Sequence, residues 1–318
     1  MDKYVKIDGG YGRCIAATGA VEIFAKTEKE KGNNVYVVTG FPQVFNGMEE
    51  IEKIYPFPGT PFIYENGISK GEFFEPEPYN DVAYYKDEKH LATVFNKLLN
   101  GKEEYVEPKI IFSENELIQA QMFIENKKKE MGKKIVLLQP WGSTGGIVYK
   151  EEGKEQKVMV DESYRSMGTG FVKKLAEKLI EEGYMVILVK AGHQALVAGT
   201  IMLTDQTPNG MQPIDIRKMI ALIPYVDGIV CCDSFLHHAS AALGTPVPTV
   251  VLWAGTNSKN LGYEKQVNIT SWKKCEYEPN RIPHDRDYYI NKNKGSNEFK
   301  LEVIDEIIEH LKEGKKNG

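Results

Sequence analysis

The order of signals at the start of the chain limits its fold more than any other feature. Val5-Lys6-Ile7 reads as a short strand, and Asp8-Gly9-Gly10-Tyr11-Gly12-Arg13 follows it with three glycines in four positions, a turn that a side-chain-bearing backbone could not easily take. A helix comes next, with Ile15, Ala16, Ala20, Ile23 and Phe24 at three-to-four spacing, fading in the charged stretch from Lys26 to Lys31 before Gly32. Asn34 to Thr39 is a second strand. Strand, glycine turn, helix and strand make a βαβ unit, which belongs in a parallel sheet and defines an α/β fold.

The same alternation returns in the second half. Lys134 to Pro140 reads as a strand ending in Trp141-Gly142-Ser143-Thr144-Gly145-Gly146, and a helix covers about Tyr164 to Glu182. Tyr184 to Lys190, Gly228 to Cys232 and Thr249 to Trp253 are strands, and Ile214 to Leu222 and Phe235 to Leu243 are helices. Between the halves, Phe41 to Glu107 mixes aromatics and prolines and predicts short elements and loops. Ser113 to Ile124 reads as a helix opened by the capping-box spacing of Ser113 and Glu116, running out into a charged linker, Asn126 to Lys134. Ile269 to Gly295 is irregular, and Glu298 to Leu311 closes with an amphipathic helix.

At 318 residues, and roughly 100–200 residues per domain, the chain has room for two domains. The expected division is residues 1–125, residues 134–280, and a tail of residues 281–318 whose helix crosses back to the first domain. Forty basic against 45 acidic residues leave a net charge of −5, which supplies no general attraction to nucleic acid or an anionic membrane. Binding to DNA would need a local patch such as Lys127 to Lys134. The four cysteines are too few for a disulfide framework and lack metal spacing. With no apolar leader and no membrane-spanning run, the expected location is the cytoplasm, without stable membrane insertion.

Two constellations carry chemistry. The first is the glycine turn: Gly10 and Gly12 are followed at the third position by Ile15, and Thr39-Gly40 offers no carboxylate for a ribose, so a nicotinamide dehydrogenase is disfavoured. What remains is a helix N-terminus with Arg13 beside it, suited to phosphate or to a sugar, or a tight turn needed only for packing. The second begins at Asp233-Ser234, after a strand and ahead of a helix rich in small residues, and the next strand ends in the polar turn Trp253 to Ser258. Two such turns on one sheet rim suit a nucleotide diphosphate.

The stretch from Asp233 to Thr256 resembles the signature of the family-9 glycosyltransferases, the heptosyltransferase group, in which D-[ST]-G-x-x-H-x-A-A-A-L-G leads through a strand into an F-G-P-T turn. Asp233, Ser234, His238, Ala239, Ala241 to Gly244 and Thr256 match; Ser240, Trp253 and Gly255 replace the usual Ala, aromatic and Pro, and Phe235 replaces the Gly. Gly12 to Ala20 is similar to the family's G-D-x-x-x-A-T-P-A, and Arg165 sits where the family has a basic residue before a long helix.

The resemblance implies the GT-B architecture, two Rossmann-like domains facing across a cleft, with the donor mostly on the second and the acceptor on the first. It implies inverting transfer from a nucleoside-diphosphate sugar, as co-substrate, with no metal or other cofactor. Asp233, Ser234, His238 and Thr256 would hold the donor, with Arg165, the Gly10–Gly12 turn and Arg13 toward phosphate. Each also has a plain structural role: a helix cap for Asp233 and Ser234, a core histidine for His238, a solvated helix start for Arg165, a closed turn for Thr256. The family's catalytic base, the Asp of its G-D pair, falls on Arg13, which leaves Asp8 at the tip of the first strand as the candidate base or a mere turn residue. The acceptor is expected to be a surface glycan or a hydroxylated base in DNA. Two other functions fit the same residues: a nucleotide-sugar-binding protein without transferase activity, and a nucleotide-sugar epimerase. Asp285-Arg286-Asp287 and His284 imitate metal motifs in what reads as a solvated loop.

Overall fold

The computed structural model describes residues 1–86, 88–151, 154–161, 165–191, 194–208, 210–271 and 298–314. The chain falls into two α/β units: Met1–Ile118 with His238–Thr245 and Lys259–Leu261, and the remainder.

In the first unit, strands β1 (Asp2–Ile7), β2 (Asn34–Thr39), β3 (Lys53–Pro56) and β4 (Glu72–Phe74) form one sheet in the order β3-β2-β1-β4. All three pairings are parallel, as the opening βαβ pattern predicts. The first helix, Tyr11–Glu30, is buried along Cys14, Ile15, Ala17, Ala20 and Val21. Its small residues have a use: a Cβ on Gly19 would strike the carbonyl of Glu107. Beside it, the Thr18 hydroxyl accepts the Lys109 N–H at 2.8 Å and donates to the Ile15 carbonyl at 2.7 Å. The region from Phe41 to Glu107 holds, besides its short elements, a helix at Leu91–Asn100 with Leu91, Val94 and Phe95 buried.

The second unit has a five-stranded sheet of β5 (Lys134–Gln139), β8 (Tyr184–Leu188), β11 (Gly228–Cys232), β12 (Thr249–Trp253) and β13 (Val267–Thr270), in the order β13-β12-β11-β5-β8. Every pairing is parallel. Strands covered on both faces need near-continuous apolar sequence, and β8, β11 and β12 are buried at every position. Two antiparallel hairpins, β6 (Ser143–Glu151) with β7 (Lys154–Asp161) and β9 (Thr204–Thr207) with β10 (Gly210–Pro213), are additions that the sequence reading did not anticipate.

Two expectations change. The helix after Ser113 runs from Glu114 to Met131, so most of the expected linker is helical. No glycine or proline interrupts it, and Lys127 pairs with Glu130 at 2.8 Å one turn on. The helix expected from Tyr164 starts at Thr169. The final helix, Glu302–Glu313, places Ile304, Ile307, Ile308 and Leu311 in the second unit's core with Val136, Leu179, Val230 and Val250. Leu311 takes the place that a Cβ on Gly228 would occupy. The Asp285–Asp287 motif and His284 lie outside the described residues. No described helix is long and apolar enough to cross a membrane.

Candidate active site

Because every strand of the four-stranded and of the five-stranded sheet runs the same way within its sheet, the carboxyl ends of those strands share one edge, which is where ligands meet open α/β sheets. On the first unit that edge carries the glycine turn. Gly9 takes a left-handed φ of +99°, the conformation that demands glycine, whereas Gly10 is the extended N-cap of the Tyr11–Glu30 helix and has open space where a Cβ would stand. Gly12 lies in the helix's first turn. No side chain caps this N-terminus and no acidic residue lies in its first turn.

Asp8 is exposed at the end of β1. Its Oδ1 accepts the Gly9 N–H at 2.7 Å, and its Oδ2 lies 3.5 Å from Lys6 Nζ, which also pairs with Glu75 at 2.6 Å. Arg13 points elsewhere. Its guanidinium pairs with Glu77 at 3.0 Å and stacks on Tyr79, 4.7 Å from the ring centroid, with its stem over Gly9. A guanidinium stays protonated and cannot act as a base, and here one edge is already committed to a carboxylate.

On the second unit the edge collects most of the predicted donor residues. The Met167 N–H donates to the Pro140 carbonyl at 2.8 Å and the Gly142 N–H to Ser166 Oγ at 3.1 Å. Those two bonds stitch the segment after β5 to the segment before the Thr169–Glu181 helix and bring Arg165 against Gly142. Next along the sheet, β11 leads into Asp233 and Ser234. Ser234 Oγ donates to Gln139 Oε1 at 2.7 Å, tying the ends of β11 and β5 together. The Asp233 carboxylate is buried: Oδ2 lies 3.6 Å from Arg165 Nη1, and Oδ1 accepts from His237 Nε2 at 3.4 Å. One strand further, the Thr256 hydroxyl oxygen is buried and makes no hydrogen bond among the described residues. An orphaned hydroxyl at a sheet edge is the kind of group a ligand completes.

His238 is buried on the Phe235–Leu243 helix, beside His237. Among the described residues, Asp233, His237 and His238 form the group that could hold a metal ion, one ligand atom from each lying within 4.8 Å of the others. Among the described residues, Cys14 and Cys231 are poor nucleophiles. Burial, eased a little by Thr39, pushes the Cys14 thiol to about 11, and desolvation drives Cys231 well above its ordinary value. The sequence points to Asp233, Ser234, Arg165 and Thr256 but not to Gln139 or His237. A glutamine ending a strand and a histidine inside a helix carry no signal until the fold shows what they touch.

Two α/β units built on parallel sheets have the fold of the GT-B class, and similar solved structures share it. The glycosyltransferase of family 9 from Veillonella parvula DSM 2008 is similar with a TM-score of 0.65 at 12% identity, over 98% of this chain and 96% of that one. The ADP-heptose lps heptosyltransferase II of E. coli has a TM-score of 0.58 at 14% identity, over 99% and 100%. The iron-containing dodecameric glycosyltransferase TibC of enterotoxigenic E. coli H10407 has 0.60 at 10%, over 99% and 77%. Comparison with curated proteins found no match. Within the class, residues 171–284 match the family model of glycosyltransferase family 9 (heptosyltransferase), so the Asp233–Thr256 resemblance is borne out and the enzyme is a glycosyltransferase.

Proposed function

We propose that this enzyme transfers a sugar from a nucleoside-diphosphate sugar to a glycan hydroxyl, with inversion and without a required metal. The observation that carries the reading is the second unit's edge, where a guanidinium, a helix start and the orphaned Thr256 hydroxyl gather at the ends of neighbouring strands. That set suits a leaving diphosphate. As the bond from the anomeric carbon to the phosphate oxygen breaks, negative charge develops on the diphosphate, and Arg165 with the N–H groups ahead of the Phe235–Leu243 helix would stabilise it. Asp233 serves by holding Arg165, and Thr256 donates its hydroxyl proton to a phosphate or sugar oxygen.

The acceptor hydroxyl attacks the opposite face of that carbon and loses its proton to a carboxylate. Asp8 is the proposed base, since it is the exposed carboxylate at the end of β1 beside the uncapped helix start. Phe57, at the end of β3 and 42% exposed, offers a ring against which a sugar can lie. Two similar proteins carry ADP-heptose in their descriptions, which makes ADP sugars the first donors to try.

The test is turnover. Purified enzyme, treated with chelator and given ADP-, GDP-, UDP- and CDP-sugars with glycan acceptors, should release nucleoside diphosphate only when both substrates are present, with the new linkage inverted by NMR. Donor binding without turnover for every acceptor would make it a nucleotide-sugar-binding protein; interconversion of the donor alone would make it an epimerase.

A further inference from the structure

Beside Asp8, the carboxyl edge of the first unit's sheet carries two charged residues to which the transfer reading gives no task. We infer that Lys6 and Glu75 determine acceptor specificity: with the Phe57 ring they hold an uncharged sugar whose free hydroxyl faces Asp8, and they disfavour sugars that bear a carboxylate or phosphate. The inference rests on the glycosyl-transfer reading above and deepens it by naming the class of acceptor.

Parallel pairing builds this corner. Lys3, Tyr4 and Val5 of β1 lie beside Glu72, Phe73 and Phe74 of β4, so one further step along each strand sets Lys6 beside Glu75. On the other flank Lys6 is in register with Val38 of β2, and the Phe57 N–H donates to the Thr39 carbonyl at 2.8 Å, which ties the residue after β3 to the end of β2. Lys6 spans the two flanks. Its ammonium lies 2.6 Å from Glu75 Oε1, 3.5 Å from Asp8 Oδ2 and 5.0 Å from the centre of the Phe57 ring. The Glu75 hydrogen bond, working against burial, raises the Lys6 ammonium, which stays charged at neutral pH. The lysine side chain is only 19% exposed, whereas those of Glu75 and Asp8 are 50% and 57% exposed. The ammonium thus braces a corner whose carboxylates and ring open to solvent.

Such a set suits a sugar. A pyranose has a face of C–H groups that lies against an aromatic ring and a rim of hydroxyls that both give and accept hydrogen bonds. Glu75 accepts from one hydroxyl, Lys6 donates to its neighbour, and Asp8 at the strand tip takes the proton of the hydroxyl that attacks. Charge then sets the class. One ammonium against two carboxylates leaves one net negative charge, and the adjoining Arg13–Glu77 pair, 3.0 Å apart, cancels itself. An anionic sugar would bring another negative charge against two exposed carboxylates whose cation is already shared between them, and like charges so placed repel. A neutral sugar meets no such repulsion.

Initial rates with the nucleotide sugar that turns over test this, using the full chain and its K6M, E75Q and E75K variants. Two acceptor sets of matched linkage are compared, neutral oligosaccharides and their uronate- or phosphate-bearing counterparts. The wild-type chain should favour the neutral set by at least about tenfold in kcat/KM. K6M should raise the KM for neutral acceptors about fivefold to tenfold, leave the donor KM within about twofold, and widen the preference for the neutral set. E75K should narrow that preference by at least about tenfold, with E75Q moving it the same way by less. A merely structural ion pair would shift the melting temperature, or the rates with both sets alike, and leave their ratio where it was. Should K6M or E75K fail to fold, E75Q decides, since Glu75 is half exposed. If the wild-type chain uses anionic acceptors as well as neutral ones, or the position-75 variants leave the ratio unchanged, the inference is overturned and the transfer reading stands. If neither set is glycosylated, the transfer reading fails first and this inference with it.

Discussion

At Thr256 a single oxygen separates the functional role from the structural one. Its buried hydroxyl has no hydrogen bond to lose among the described residues, so Thr256→Val should leave the melting temperature unchanged or raise it slightly, while weakening donor binding about tenfold. A melting temperature that falls with donor affinity intact would return Thr256 to a turn-closing role. Asp8→Asn keeps an oxygen for the Gly9 N–H but cannot take a proton. It should cut kcat by about 10²-fold or more with the donor KM little changed, and a kcat within threefold of wild type would move the base elsewhere. Legibility at this scale follows distance along the chain. Asp233, Ser234 and Thr256 stand out because a contiguous pattern surrounds them, but the contact of Arg165 with Asp233 joins residues far apart in sequence, and no local rule predicts it.

Among the elements, the parallel strands were the most readable, because a strand buried on both faces has little choice but an unbroken apolar run. The β6/β7 hairpin was hidden for the opposite reason. Its strand ends, Lys150-Glu151 and Lys154-Glu155, are as charged as a loop. The charged second half of the Glu114–Met131 helix reads as a break in sequence, although lysine and glutamate are good helix formers. Two substitutions probe how elements are held. Gly19→Ala gains up to about 1 kcal/mol of helix propensity, but its Cβ collides with the Glu107 backbone, and the net effect should be a loss of about 1–3 kcal/mol in urea unfolding. Leu311→Ala removes a fully buried side chain from the final helix and should cost about 2–5 kcal/mol. An effect under about 1 kcal/mol would mean that this helix does not close the second unit's core.

For the molecule as a whole, carboxylates of the first unit contribute to how it responds to acid. Glu22 is raised by burial but lowered more by hydrogen bonds from Lys109 and Lys26. Glu28 is lowered chiefly by Lys31, against burial, and Asp81 is raised by burial but lowered further by Lys97 and the Ala83 N–H. All three therefore titrate lower in the folded chain than in the unfolded one. The stability they supply is complete above the unfolded carboxylate range, about pH 4–5, and drains away as pH falls through the lower folded values. The urea midpoint should drop between about pH 5 and pH 3, and Lys109→Met should flatten part of that slope. A midpoint level across that range would contradict the pairing. The net charge of −5 remains silent about the acceptor, as it was from sequence.

The donor site itself is best tested by a crystal structure with the nucleoside-diphosphate sugar that supports turnover. The diphosphate is expected against Arg165 and the start of the Phe235–Leu243 helix, with an oxygen within hydrogen-bond reach of Thr256 Oγ1. A diphosphate bound away from Arg165, Ser234 and Thr256 would contradict the assignment of this edge as the donor site.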